Sequence, residues 1–107
     1  MGLTEVDAKA LVNEGVLSAD YDEHKEAIEF YDKALKIIET SETYLNKGIS
    51  LVELEKYEDA LSSYEKAIEV SPGYADAWYN KAELLKHKGQ DAEAETCFAK
   101  VKELEGE

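Results

Sequence analysis

Cysteine, proline, methionine and tryptophan each occur once in these 107 residues, and histidine twice. The lone Cys97 has no partner for an internal disulfide, and two histidines do not make a His-rich metal site. No stretch approaches the ~18 consecutive apolar residues that a membrane span needs. The opening residues lack the basic and apolar regions of a secretory signal. Met1-Gly2 begins like an acylation signal, but Val6 stands where that signal requires Ser or Thr. Positive charge is short too: Lys and Arg total 12 against 25 Asp and Glu, a net charge of −13 at pH 7. Such a surface repels phosphate backbones and anionic lipid, so neither nucleic acid nor membrane is an expected partner. The expectation is an acidic, cytoplasmic protein whose residues 1–107 form one domain.

Apolar residues supply 44% of the chain, enough for a core. They recur at steps of three and four, as in Ala27, Ile28, Phe30, Tyr31, Ala34, Leu35 and Ile38, which is the period of a helix and not of a strand. Breaks at residues 18–22, 39–41, 55–56, 71–73 and 88–90 divide the chain into six predicted helices, roughly 4–19, 23–38, 42–54, 57–70, 75–88 and 91–104. Thr4 with Asp7 has the spacing of a capping box, and Ser41 and Ser71 read as helix starters. Gly89 suits the left-handed residue that closes a helix.

The same pattern occurs three times. Leu11, Tyr44 and Trp78 correspond, spaced by 33 and then 34 residues, and four residues after each comes Gly15, Gly48 or Ala82. Further along each unit stand Ala27, Ala60 and Ala94, then Tyr31, Tyr64 and Phe98, then Ala34, Ala67 and Val101. Small residues in register on two helices allow close approach, and the aromatic beside them fills the remaining space. A sustained heptad, which a coiled coil requires, is missing.

This pattern resembles the tetratricopeptide repeat: a bulky leader, a small residue four later, then Ala, an aromatic and Pro at fixed offsets. Ser18, Leu51 and Leu85 depart from it where an aromatic is usual, and only the second unit keeps its proline, Pro72. The resemblance implies an all-α fold, a right-handed α-solenoid of three helix-turn-helix hairpins over residues 8–40, 41–74 and 75–107. It further implies that Ile28, Leu35, Leu61 and Ile68 face forward into the next unit. Their third-unit counterparts are Glu95 and Lys102, which cannot be buried unpaired. The last helix is therefore expected to act as its own cap.

No Gly-rich phosphate loop, His-Glu-x-x-His, Cys-x-x-Cys or nucleophile elbow is present. No catalytic residue, cofactor or metal is expected. The resemblance points instead to a concave groove lined by the first helix of each hairpin. Helical spacing selects Lys9, Val12, Asn13, Val16 and Asp20 in the first unit, and Glu42, Leu45, Asn46, Ile49 and Glu53 in the second. Asp76, Tyr79, Asn80, Glu83 and His87 follow in the third. Asn13, Asn46 and Asn80 stand in register, and an amide both donates to and accepts from a peptide backbone. A ladder of similar placement is known in the superhelix of the O-linked N-acetylglucosamine transferase family.

Val12, Val16, Leu45, Ile49, Val52 and Tyr79 form an apolar strip rimmed by acid, the complement of a protein or peptide segment with basic and aliphatic residues. Tetratricopeptide clamps for acidic C-terminal tails resemble this chain only at Asn46. Val12, Val16, Asp76 and Asn80 replace the clamp's other polar and basic groups. The expected function is a protein-interaction scaffold. The alternatives are a self-associating module, with a second copy as partner, or a part of a larger repeat scaffold.

Overall fold

The computed structural model describes residues 2–106. Six α-helices follow one another: α1 (Glu5–Asp20), α2 (His24–Ile37), α3 (Ser41–Glu53), α4 (Tyr57–Val70), α5 (Ala75–His87) and α6 (Asp91–Leu104). There is no strand among the described residues. Each predicted helix is present, with ends displaced by no more than about one residue.

Pairing is sequential. α1 packs on α2, α3 on α4 and α5 on α6 as hairpins; α2 then packs on α3, and α4 on α5. The first helices α1, α3 and α5 also touch in order along one side, whereas α2, α4 and α6 do not touch one another. The array is consequently elongated, 46 × 28 × 19 Å.

Helix ends show how local chemistry sets this geometry. At the start of α1, the Thr4 side chain accepts from the Asp7 N–H, and the Asp7 carboxylate accepts from the Thr4 N–H at 2.8 Å, a complete capping box. Ser41 is not the starter of α3: Thr40 caps it, accepting from the Thr43 N–H at 3.2 Å. Ser41 is instead buried, and its hydroxyl donates to the Ala67 carbonyl at 2.8 Å. Ser71 is likewise the C-cap of α4, and α5 begins only after Tyr74. In both cases the connection takes extra extended residues to turn from one hairpin to the next.

Within each hairpin the turn is a single repeated motif. Asp22, Glu55 and Gly89 occupy the same place, with φ of 62°, 60° and 82°. The N–H of the next residue reaches back in each case: Glu23 to Ser18, Lys56 to Leu51 and Gln90 to Leu85, at 2.8, 2.8 and 2.9 Å. This is the Schellman closure. Only the third unit meets its φ requirement with glycine; Asp22 and Glu55 hold the left-handed conformation at a cost of about 1–2 kcal/mol each.

The small-against-large pairing is literal. A Cβ on Gly15 would lie 2.5 Å from Tyr31 Cε1, and one on Gly48 would collide with the Tyr64 ring in the same way. Ala27, Ala60, Ala82 and Ala94 are essentially inaccessible, as are Tyr31 and Tyr64. Ile28 reaches forward onto the Leu45, Leu51 and Tyr64 cluster of the second unit, and Leu61 onto the Leu85 and Cys97 cluster of the third. Glu95 and Lys102 are exposed, so the outer side of α6 is polar. Cys97 is buried, and burial pushes its thiol pKa up, which keeps it protonated and inert.

Polar ties hold the units in register. His24 Nδ1 lies 3.1 Å from the hydroxyl of buried Ser50, joining α2 to α3. The leader Trp78 donates its indole N–H to the Pro72 carbonyl at 2.8 Å, and the leader Tyr44 donates its hydroxyl to Glu39. These two leaders thus fasten α3 and α5 to the turns that precede them.

Candidate functional site

The first helices α1, α3 and α5 adjoin in order along one side of the array. Val16, Ile49 and Tyr79 are exposed there at 38, 40 and 48%. Val12 and Val52 are half-buried. Leu45 departs from the expected strip: only 6% of it is accessible, and it belongs to the core with Leu51, Tyr64 and Leu84. α3 is the middle of the three helices and has a neighbour on either side, so its residue is covered where the equivalent Val12 and Tyr79 are not. The strip is therefore interrupted at Leu45.

Only some of the sequence-selected residues are gathered, in two depressions. Lys9, Val12 and Glu42 line one of about 170 Å³ between α1 and α3, floored by Ala8, Ala34 and Ile38. Asn80 and Glu83 line another of about 230 Å³ between α3 and α5, with Val52, Tyr57, Tyr64, Leu84 and His87. Asn13, Val16, Asn46, Ile49, Glu53, Asp76 and Tyr79 lie outside both. Tyr57 was not selected from the sequence. It is the first residue of α4, and its ring packs on His87 with centroids 5.1 Å apart. An aromatic placed directly after the hairpin turn is the signal that marks it.

The asparagines are not equivalent. Asn80 Nδ2 donates to the Asp76 carbonyl one turn back at 2.8 Å. Among the described residues, the amides of Asn13 and Asn46 make no hydrogen bond, which leaves both ends of each available to a ligand. Tyr79 packs edge-on against Phe98, centroids 5.8 Å apart, and the neighbouring Glu83 carboxylate pushes its phenol pKa up.

Carboxylates dominate this face: Asp20, Glu42, Glu53, Asp76 and Glu83 stand against Lys9 alone among the selected cations. Their field reaches the floor. Burial, reinforced by Glu53, pushes the Tyr64 phenol up to about 12, and burial with Asp20 raises that of Tyr31. A folded value above the unfolded ~10 means that this stabilisation is complete below pH 10 and disappears as pH climbs toward 12. Urea unfolding at pH 9 and pH 11 should therefore show a loss of stability, and Tyr64→Phe should lose less over the same interval.

No group of three or more His, Cys, Asp or Glu side chains arranged to hold a metal ion occurs among the described residues. Among the described residues no helix is long and apolar enough to cross a membrane.

Family models for the tetratricopeptide repeat match residues 8–40 and 45–104. The chain belongs to the tetratricopeptide repeat family. No curated protein matches its sequence. Solved structures of tetratricopeptide domains superpose closely on it. The first such domain of Spaghetti (RPAP3), bound to the HSP90 peptide SRMEEVD, gives a TM-score of 0.91 at 21% identity, covering 96% of this chain and 85% of that one. The Sgt2 domain from Aspergillus fumigatus gives 0.88 at 25% identity, covering 94% and 67%. MamA gives 0.86 at 21% identity, and the chain covers 58% of its length. The fold is that of helical-hairpin tetratricopeptide domains.

Proposed function

We propose that the chain is a protein-interaction scaffold, built from units 8–40, 41–74 and 75–107, whose concave face binds an extended or helical segment with aliphatic anchors and Lys or Arg flanks. The observation that carries this is the pair Val16 and Ile49. They are equivalent residues on adjoining helices, both exposed, and they stand near the unpaired amides of Asn13 and Asn46 inside a rim of Glu42, Glu53, Asp76 and Glu83. Exposed apolar pairs with polar rims are typical of binding surfaces. The amides grip backbone, the aliphatic residues supply burial, and the rim selects positive charge.

Spaghetti shows that this fold accepts a peptide, the acidic SRMEEVD. Here Asp76 and the surrounding carboxylates oppose such a ligand, since like charges in contact repel by about 4 kcal/mol at an effective dielectric of 20. The role is binding and not catalysis.

Fluorescence anisotropy with two labelled peptides tests the charge preference. One alternates Leu or Ile with Lys or Arg over twelve residues; the other is SRMEEVD. The first is expected to bind saturably and to weaken as salt rises, and the second to bind at least tenfold less tightly. Tighter binding of SRMEEVD would sink the proposal.

A further inference from the structure

The depression of about 230 Å³ between α3 and α5 holds a polar atom that the fold leaves without a partner. Tyr64 forms part of its wall and is only 2% exposed, and among the described residues its hydroxyl makes no hydrogen bond. Every fully enclosed side-chain nitrogen or oxygen among the described residues does have a partner. The small accessible fraction of Tyr64 therefore includes its oxygen, which opens into the depression. A nearly buried hydroxyl in that position costs stability unless water or a ligand satisfies it.

The groups around that oxygen share one preference. Asn80 Nδ2 donates to the Asp76 carbonyl, which only the nitrogen of an amide can do, so Oδ1 is left as an acceptor. Glu83 brings a carboxylate, and no Lys or Arg belongs to the lining. Tyr57 and His87 pack ring against ring, centroids 5.1 Å apart, and Val52 and Leu84 are aliphatic. The junction between the first two units is built differently. There the equivalents of Tyr57 and Leu84 are His24 and Ser50, which share a hydrogen bond at 3.1 Å, while Ile49 and Glu53 stand in place of Glu83 and His87. Of the two junctions, the second alone combines a ring pair with free acceptors.

We infer that this depression is the subsite that holds an arginine side chain of the bound segment, an assignment that rests on the peptide-site reading above and names the residue the site selects. Arginine carries five N–H donors in a rigid plane and no acceptor. The Tyr64 oxygen, Asn80 Oδ1 and the Glu83 carboxylate are the matching acceptors. The Tyr57 and His87 rings suit the flat guanidinium, and Val52 and Leu84 suit its methylene stem. Lysine supplies the charge but neither the plane nor the fork. An acidic side chain would meet Glu83, and an aliphatic one would leave the Tyr64 hydroxyl without a partner.

Two measurements on the full chain separate this subsite from the face around it. Acetyl-arginine amide, titrated into isotope-labelled protein, is expected to bind saturably in the millimolar range and to shift the methyl resonances of Val52 and Leu84. Acetyl-lysine amide and acetyl-citrulline amide should bind about threefold more weakly or worse, the scale of one exposed cation–π contact. Glu83→Gln, at an exposed position, should bring the arginine amide down to the citrulline level. Tyr64→Phe, which keeps the ring, should weaken it about fivefold, the scale of one lost hydrogen bond. The second measurement uses the aliphatic peptide with lysine at every cationic place and a series in which a single arginine moves along it. At one place arginine should tighten binding about fivefold, and Glu83→Gln should abolish the difference. The subsite is overturned if arginine amide shifts neither methyl, if lysine or citrulline amide binds as tightly, or if Glu83→Gln and Tyr64→Phe change nothing. Arginine amide that binds while no peptide does would remove the peptide site and support the subsite. Peptides that bind without any preference for arginine would keep the peptide site and remove the subsite.

Discussion

Tyr64→Ala should lower the free energy of unfolding by about 3–5 kcal/mol, the range for removing a buried aromatic ring. Domains of this size are stable by only about 5–15 kcal/mol, so the variant will be partly unfolded near physiological temperature. The reason is specific to the site. Tyr64 is only 2% exposed, it packs with Leu45, Leu51, Ala60 and Leu84, and its ring occupies the space left open by Gly48. The second hairpin also supports both of its neighbours, so the loss should be felt by the entire array. Equivalent removal of Phe98, which is half-buried at the end of the stack, should cost distinctly less. Urea denaturation followed by circular dichroism compares the two, and equal losses would mean that the array does not share its stability through the central unit.

Asn46→Ala combined with Ile49→Lys should weaken the basic, aliphatic peptide by at least tenfold while the circular dichroism spectrum is preserved. Ile49 is 40% exposed on α3, and among the described residues the Asn46 side chain makes no hydrogen bond, so the helix is expected to keep its packing. The substitution removes an apolar anchor worth roughly 1–2 kcal/mol and places a cation where the ligand brings its own. Leu45→Asp would be a misleading variant, because its side chain lies in the core and its loss would report unfolding. Binding isotherms for wild type and the double variant decide the matter. An unchanged affinity would move the peptide site elsewhere.

Much of the architecture could be read from the chain alone, because the information is local and repeated. Helical period, capping at Thr4, the glycine at position 89 and the pairing of Gly15 and Gly48 with Tyr31 and Tyr64 each depend on residues close in sequence or at a fixed offset. Three copies in register make those weak signals reinforce one another. The inter-unit turns were less legible. Ser41 and Ser71 have the chemistry of caps, but the turn from one hairpin to the next is set by how α2 and α4 lie on their successors, and that packing draws Ser41 into a bond with Ala67. Asp22 and Glu55 carried no glycine to announce their left-handed turns.

The candidate face divides along the same line. The resemblance named the helices, and helical spacing along them picked out the carboxylates, the asparagines in register and the aliphatic candidates. Exposure was decided by the stack. Leu45 has the same sequence context as Val12 and Tyr79, yet only Leu45 sits between two neighbouring helices, and water is excluded from it for that reason.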